Sequence, residues 1–142
     1  MSAWLVDTGP LVAFFDESDM DHDRVLPVFR TPPAVLWTTM PVITETMYFM
    51  RHSPNARTAL LEFLRKTRMR IESCSSLEEL ERCAALMSKY RSFPMDYADA
   101  SLVMLAEKIG VFDIVTVDER GFRAFKTRTR QAFHLVLDDF PG

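Results

Sequence analysis

Five carboxylates in this chain stand where a short apolar run gives way to a turn or to the start of a helix. Asp7 follows Trp4-Leu5-Val6, and Asp118 follows Ile114-Val115-Thr116-Val117. Glu45 falls in the first turns of an otherwise apolar stretch opened by Pro41, and Asp96 and Asp99 lie three apart behind Phe93-Pro94. A buried carboxylate is costly unless a cation or hydrogen-bond donors meet it, and several acids at one edge repel unless something neutralises them. Hard oxygen donors without a matching His or Cys pattern suit Mg²⁺ or Mn²⁺ better than zinc. His22, His52 and His134 have no ligand spacing and are read as surface or core residues. Each acid also has a plainer use. Asp7 and Asp118 can cap the helices that follow them, Asp96 is a natural N-cap with Asp99 in the favoured first turn, and Glu45 can reach solvent. With four glycines the chain has no Gly-rich phosphate loop, which excludes the nucleotide-binding enzymes that need one.

The elements that must position these acids alternate. A strand at Trp4 to Val6 turns through Asp7-Thr8-Gly9-Pro10 into a helix from Leu11 to about Phe15, and a second helix runs from about His22 to Phe29. A strand over Val35 to Thr38 leads into the Pro41 helix, whose Val42, Ile43, Met47, Phe49 and Met50 cover much of its circumference and predict that it is largely buried. Ser53-Pro54-Asn55 breaks it before an amphipathic helix from Ala56 to Lys66. Met69 to Cys74 is a short strand. Ser75-Ser76 with Glu78 and Glu79 is a capping-box signature, opening a helix that sets Leu77, Leu80, Ala84 and Met87 on one face. Ala98, Leu102, Leu105 and Ile109 stripe the next helix, with Gly110 as its C-cap. Ile114 to Val117 and Phe133 to Leu137 are the last strands. Strands separated by helices imply an α/β fold with a parallel sheet covered on both faces. In such sheets ligands bind beyond the carboxyl ends of the strands, where Asp7 and Asp118 stand.

A chain of 142 residues, 48% apolar and 26% charged, fits a single domain over residues 1–142. Cys74 and Cys83 are read as free thiols in or near the core of a protein in a reducing compartment, hence cytoplasmic, and neither a leader nor a membrane span of about 20 apolar residues is expected. The net charge of −3 argues weakly against nucleic acid, but its distribution does not. Residues 1–50 hold seven acids and two bases, a balance of −5, which leaves +2 for the remainder. Arg51 to Arg70 carries six bases against Glu62, and Arg120 to Leu137 carries five and no acid.

The run Leu5-Val6-Asp7-Thr8-Gly9-Pro10-Leu11, then Thr44-Glu45, then Asp96-Tyr97-Ala98-Asp99-Ala100-Ser101-Leu102, then Thr116-Val117-Asp118 with Gly121-Phe122, resembles a PIN domain, and more narrowly the VapC-type toxins of toxin–antitoxin pairs. The likeness spans nearly the whole chain in order and spacing. It implies a three-layer α/β/α fold around a twisted, mostly parallel sheet of four to five strands. It also implies a ribonuclease that uses Mg²⁺ or Mn²⁺ to hydrolyse RNA at a structured loop. On this resemblance Asp7, Glu45, Asp99 and Asp118 form the acidic quartet that holds the metal, Thr8 and Thr116 position it, and Asp96 is an accessory acid. Arg120, Arg123 and Lys126 are expected to grip RNA. The implied partners are an antitoxin protein covering the acidic groove and a second copy of the chain. Two other classes compete. Phosphoacceptor and dehalogenase-like folds also gather acids at strand ends, but here Thr8 follows Asp7 and the second Asp two residues on is missing. A catalytically silent binding module, or a PIN-fold RNA-processing protein outside a toxin–antitoxin pair, would keep the same fold.

Overall fold

The computed structural model describes residues 2–140. Five strands, β1 (Ala3–Val6), β2 (Val35–Thr39), β3 (Arg70–Glu72), β4 (Asp113–Val115) and β5 (His134–Leu135), form one sheet in the order β3-β2-β1-β4-β5. Every pairing is parallel, with Leu5 opposite both Trp37 and Ile114. The helices are α1 (Thr8–Phe14), α2 (His22–Arg30), α3 (Met40–Phe49), α4 (Pro54–Thr67), α5 (Leu77–Lys89), α6 (Tyr97–Ile109) and α7 (Glu119–Ala124), and a 3₁₀ turn over Val136–Asp139 ends the described chain. Parallel strands require crossovers, and these are right-handed almost without exception. The chain runs outward from β1 through β2 to β3, then back past β1 to β4 and β5. The outward and returning crossovers therefore cover opposite faces.

Each face has its own aromatic cluster. Phe14 of α1, Phe29 of α2 and Phe63 of α4 pack with ring centroids 5.2–5.5 Å apart. On the returning side Phe122 and Phe125 stack edge-to-face at 5.0 Å, with Tyr90 5.2 Å from Phe125 and Phe133 5.5 Å from Phe122. β1 between them is fully enclosed over Leu5 and Val6, which is why its sequence is apolar without alternation. Cys74 and Cys83 are free thiols, Cys83 buried as expected. Among the described residues no helix is long and apolar enough to cross a membrane.

Several elements differ from expectation. α1 begins at Thr8, because Asp7 itself caps it. β4 ends at Val115 rather than Val117, since Thr116 turns its hydroxyl to Asp7. β5 has two residues, and Val136 and Leu137 belong to the 3₁₀ turn. The end of α3 is not buried: Tyr48 and Phe49 are each 58% exposed. On α5 the buried face is Cys83, Leu86 and the capping Tyr90, whereas Leu77 and Leu80 are exposed. Both stripes of α5 have helical spacing. The one that wins is the one facing α6, where Arg82 meets Glu107 at 2.7 Å. Ser76 caps α5 as the signature implies, though the Glu79 carboxylate returns to the Ser76 hydroxyl instead of its backbone.

Candidate active site

The strand order reverses at β1, whose neighbours are the second and fourth strands in sequence. Ligand crevices open at such a switch, outside the carboxyl ends of the strands. Asp7 is the first residue past β1 and Thr116 the first past β4, and the register that sets Val6 beside Val115 brings them together. The Asp7 N–H donates to the Val115 carbonyl at 3.0 Å. Thr8 N–H donates to Asp7 Oδ1 and the Thr116 hydroxyl to Oδ2, both at 2.8 Å. The same Thr116 oxygen accepts from Asp118 N–H at 3.0 Å, so one hydroxyl locks two of the acids to each other. Asp118 caps α7 through Gly121 N–H at 3.1 Å, and a side chain on Gly121 would run into that carboxylate.

Asp96 and Asp99 form the capping box of α6. Asp96 Oδ1 accepts from Asp99 N–H at 2.8 Å and Asp99 Oδ2 from Asp96 N–H at 3.2 Å. Asp99 is buried and Asp96 exposed, because the first turn of α6 lies against the sheet. Glu45 sits on α3, which Thr39 caps. The Thr39 hydroxyl is 2.7 Å from that of Ser101, which gives its proton to the Ala98 carbonyl at 2.6 Å. Thr39 therefore donates, and this link fixes the Glu45 helix to the Asp99 helix. Its only trace in the sequence is Ser101 within the Asp-Ala-Ser-Leu run.

Asp7, Glu45, Asp96, Asp99 and Asp118 all line one open cavity of about 730 Å³, together with Thr8. Asp19 and Asp21, from the acidic stretch between α1 and α2, line it too, as do Phe49, Phe93 and Arg120. Sequence reasoning singles out only Arg120 of these five as a site residue: it counts Phe49 with the buried face of its helix and gives Asp19, Asp21 and Phe93 no role in the site. Arg120 reaches the cavity and lies over the Phe93 ring at 5.6 Å. Arg123 and Lys126 do not line it. Arg123 is held by Asp138 at 3.1 Å, and Lys126 is exposed beside an antiparallel bridge to Ala132.

The acids are not comfortable as anions. Burial, opposed by the Thr116 and Thr8 donors and reinforced by repulsion from Asp96 and Asp118, pushes the Asp7 pKa up to about 6. Burial and then repulsion from Asp7 and Asp96 push Asp99 up to about 9, against the pull of the Asp96 N–H. Glu45 is also raised, first by burial and then by Asp96, while the Thr8 hydroxyl turned toward it favours its charge. That hydroxyl is buried and completes no hydrogen bond at the geometry present. Among the described residues no three His, Cys, Asp or Glu side chains approach closely enough to hold one metal ion between them. The donor set nevertheless fits a hard divalent cation. It is all oxygen, it leaves a buried hydroxyl unpartnered, and burial followed by repulsion between neighbouring carboxylates holds Asp7 and Asp99 back from ionising. Mg²⁺ is commonly held by one or two carboxylates with water completing its shell.

Residues 4–127 match the PIN domain family model. Ribonuclease VapC26 of Mycobacterium tuberculosis (strain ATCC 25618 / H37Rv) is 29% identical over 124 residues, covering 86% of this chain and 91% of that protein. The crystal structure of Mycobacterium tuberculosis VapC20, described as a sarcin-ricin loop cleaving toxin, superposes with a TM-score of 0.68 at 21% identity, covering 80% of this chain and 87% of that one. The five-stranded parallel sheet, the carboxylates at its switch point and a family match over nearly all of the chain agree: this protein belongs to the PIN domain family and is similar to its VapC members.

Proposed function

We propose that the chain is an endoribonuclease that hydrolyses RNA with Mg²⁺ or Mn²⁺, and that it acts as the toxin of a type II toxin–antitoxin pair. The observation that carries this reading is the gathering of Asp7, Glu45, Asp96, Asp99 and Asp118 around one cavity in which the two buried acids are met by neutral donors only. Asp7 and Asp99 are the principal metal ligands. Glu45 and Asp118 complete or orient the shell, and Thr8 and Thr116 hold it. Asp99 is preferred to Asp96 as ligand because it is the buried member of the pair. When bound, the divalent ion supplies the positive charge that acidifies a water and offsets charge on the phosphate. The hydrolysis forms one bond from the water oxygen to phosphorus and breaks one bridging P–O bond. The water's proton passes to a carboxylate of the cavity, and the departing oxygen takes up a proton from solvent.

The similarity to VapC20 supports a bond exposed in the loop of a structured RNA, and Arg120, which lines the same cavity, is the cation assigned to its phosphates on this reading. The VapC likeness supports an antitoxin partner that offers a basic side chain to the same acids, and a homodimer. RNA cleavage with Mg²⁺ or Mn²⁺ by wild type, Asp7→Asn and Asp99→Asn tests the assignment. Either substitution is expected to remove activity, and undiminished cleavage by a folded variant would overturn it.

A further inference from the structure

Tyr48 and Phe49 close α3 as two adjacent aromatic side chains, each 58% exposed. They are fixed in place. Their ring centroids lie 5.8 Å apart at 70°, and the Arg51 guanidinium covers the Tyr48 ring at 4.0 Å while donating to the Tyr48 carbonyl at 2.8 Å. Phe49 lines the acidic cavity and also, with Tyr48 and Tyr97, a neighbouring groove of about 690 Å³. Glu45 and Asp96 line both spaces, so the groove opens directly into the cavity.

A strand whose phosphodiester bond lies on the acids must seat its next base within one nucleotide of them. The carboxylates themselves offer that base no apolar contact, whereas the exposed Phe49 ring beside them does, and the guanidinium on the adjoining Tyr48 ring adds a cation. Base–aromatic stacking tolerates every base, because each has a π-face, and single-stranded loops are recognised largely by splaying bases onto aromatic and Arg planes. The feature favours this occupant over a protein surface. The exposed rings are two, with the exposed Met40 also in the groove, one ring is already layered by Arg51, and carboxylates stand at their foot, where a flat ring edged with hydrogen-bond donors fits. We infer that the Tyr48–Phe49 shelf binds a nucleobase of single-stranded RNA next to the cleaved bond, an inference that rests on the ribonuclease reading above.

The test is a cycle between side chain and base. On an RNA oligonucleotide, Phe49→Ala is expected to raise KM about tenfold with kcat within about threefold, and Phe49→Trp to restore it. Removing the base at one of the two positions flanking the cleaved bond should raise the wild-type KM by a similar factor and leave Phe49→Ala unaffected. Equal losses for the variant on intact and abasic substrates would overturn the shelf, as would a loss explained by a fall in mass on light scattering, which would make it a contact between copies. A second measurement needs no cleavage. An oligonucleotide carrying 2-aminopurine should be quenched by wild type and not by Phe49→Ala, and no quench with wild type overturns the inference. A wild type that quenches but cuts nothing with Mg²⁺ or Mn²⁺ would sink the ribonuclease reading and leave the base site standing.

Discussion

Two clusters of charged side chains, at opposite ends of α6, solve the same problem in opposite ways. On the α5 side Glu107, with 17% of its side chain exposed, receives the Arg82 guanidinium at 2.7 Å and the Arg128 N–H at 2.6 Å. That groove, with Lys108 and Glu79 at its walls, balances its charges from within the chain. At the other end of α6 the buried Asp7 and Asp99 meet hydroxyls and backbone N–H groups but, among the described residues, no Lys, Arg or His. Arg120, the one guanidinium lining that cavity among the described residues, lies over a ring instead of pairing with them. A charge paired internally is structural, whereas an uncompensated cluster leaves room for a cation from outside, as the proposed function requires. The contrast predicts that carboxylates removed from the two clusters have effects of opposite sign on stability and of very different size on activity.

The largest effect is on cleavage. Asp99→Asn should lower kcat by at least about 100-fold, since charge at a metal centre supplies several kcal/mol to the transition state. Glu107→Ala should leave kcat within about twofold. Comparable losses in single-turnover assays would erase the distinction between the clusters.

Stability reverses the ranking. Glu107→Ala strands the Arg82 guanidinium, whose Nε already lacks a partner, and should cost about 1–3 kcal/mol, or some 4–10 °C in melting temperature. Asp99→Asn should instead raise the melting temperature of the metal-free protein at pH 8. The sign follows from linkage. Asp99 binds its proton far more tightly folded, at about 9, than unfolded, near 3.8. Between those values the folded state holds a proton that the unfolded state has released, so stability falls as pH rises from about 4 to 9. In Asp99→Asn that part of the slope should vanish, and in wild type saturating Mn²⁺ should raise the melting temperature at pH 8 while leaving Asp99→Asn nearly unmoved. A wild-type melting temperature indifferent to pH and to Mn²⁺ would show that the acids are already satisfied.

The two clusters also differ in how legible they were. The acids of the cavity follow apolar runs, so local pattern places Asp7, Asp96 and Asp118 at strand and helix ends, and the capping role and the site role fall on the same residues. The α5–α6 groove gives no such signal. Leu77, Leu80, Ala84 and Met87 have the helical period, but Cys83, Leu86 and Tyr90 have it as well, and only the position of α6 decides between them. The exposure of Phe49 is hidden for a similar reason. Its type predicts burial, and only the packing of neighbouring elements decides which apolar positions of α3 stay open. Thr116 read as strand because a β-branched residue suits one, while its hydroxyl serves Asp7 at a separation of 109 residues, which no local window spans.

The smallest effects concern the basic residues after Asp118, which sequence alone treats as one run. Arg120 faces the cavity, whereas Arg123 is tied to Asp138 and Glu119, and Arg24 to Glu119 at 2.8 Å. Arg120→Ala should raise KM for RNA about three- to tenfold and reduce its dependence on salt, as expected for one lost phosphate contact. Arg123→Ala should shift KM less than about twofold and cost no more than about 1 kcal/mol of stability, because its pairs are more than half exposed on the arginine side. A larger loss of affinity on removing Arg123 than Arg120 would mean that RNA approaches across the Asp138 surface. The strand would then run along α7 away from the Tyr48–Phe49 shelf, and the shelf and Arg120 could no longer belong to one path.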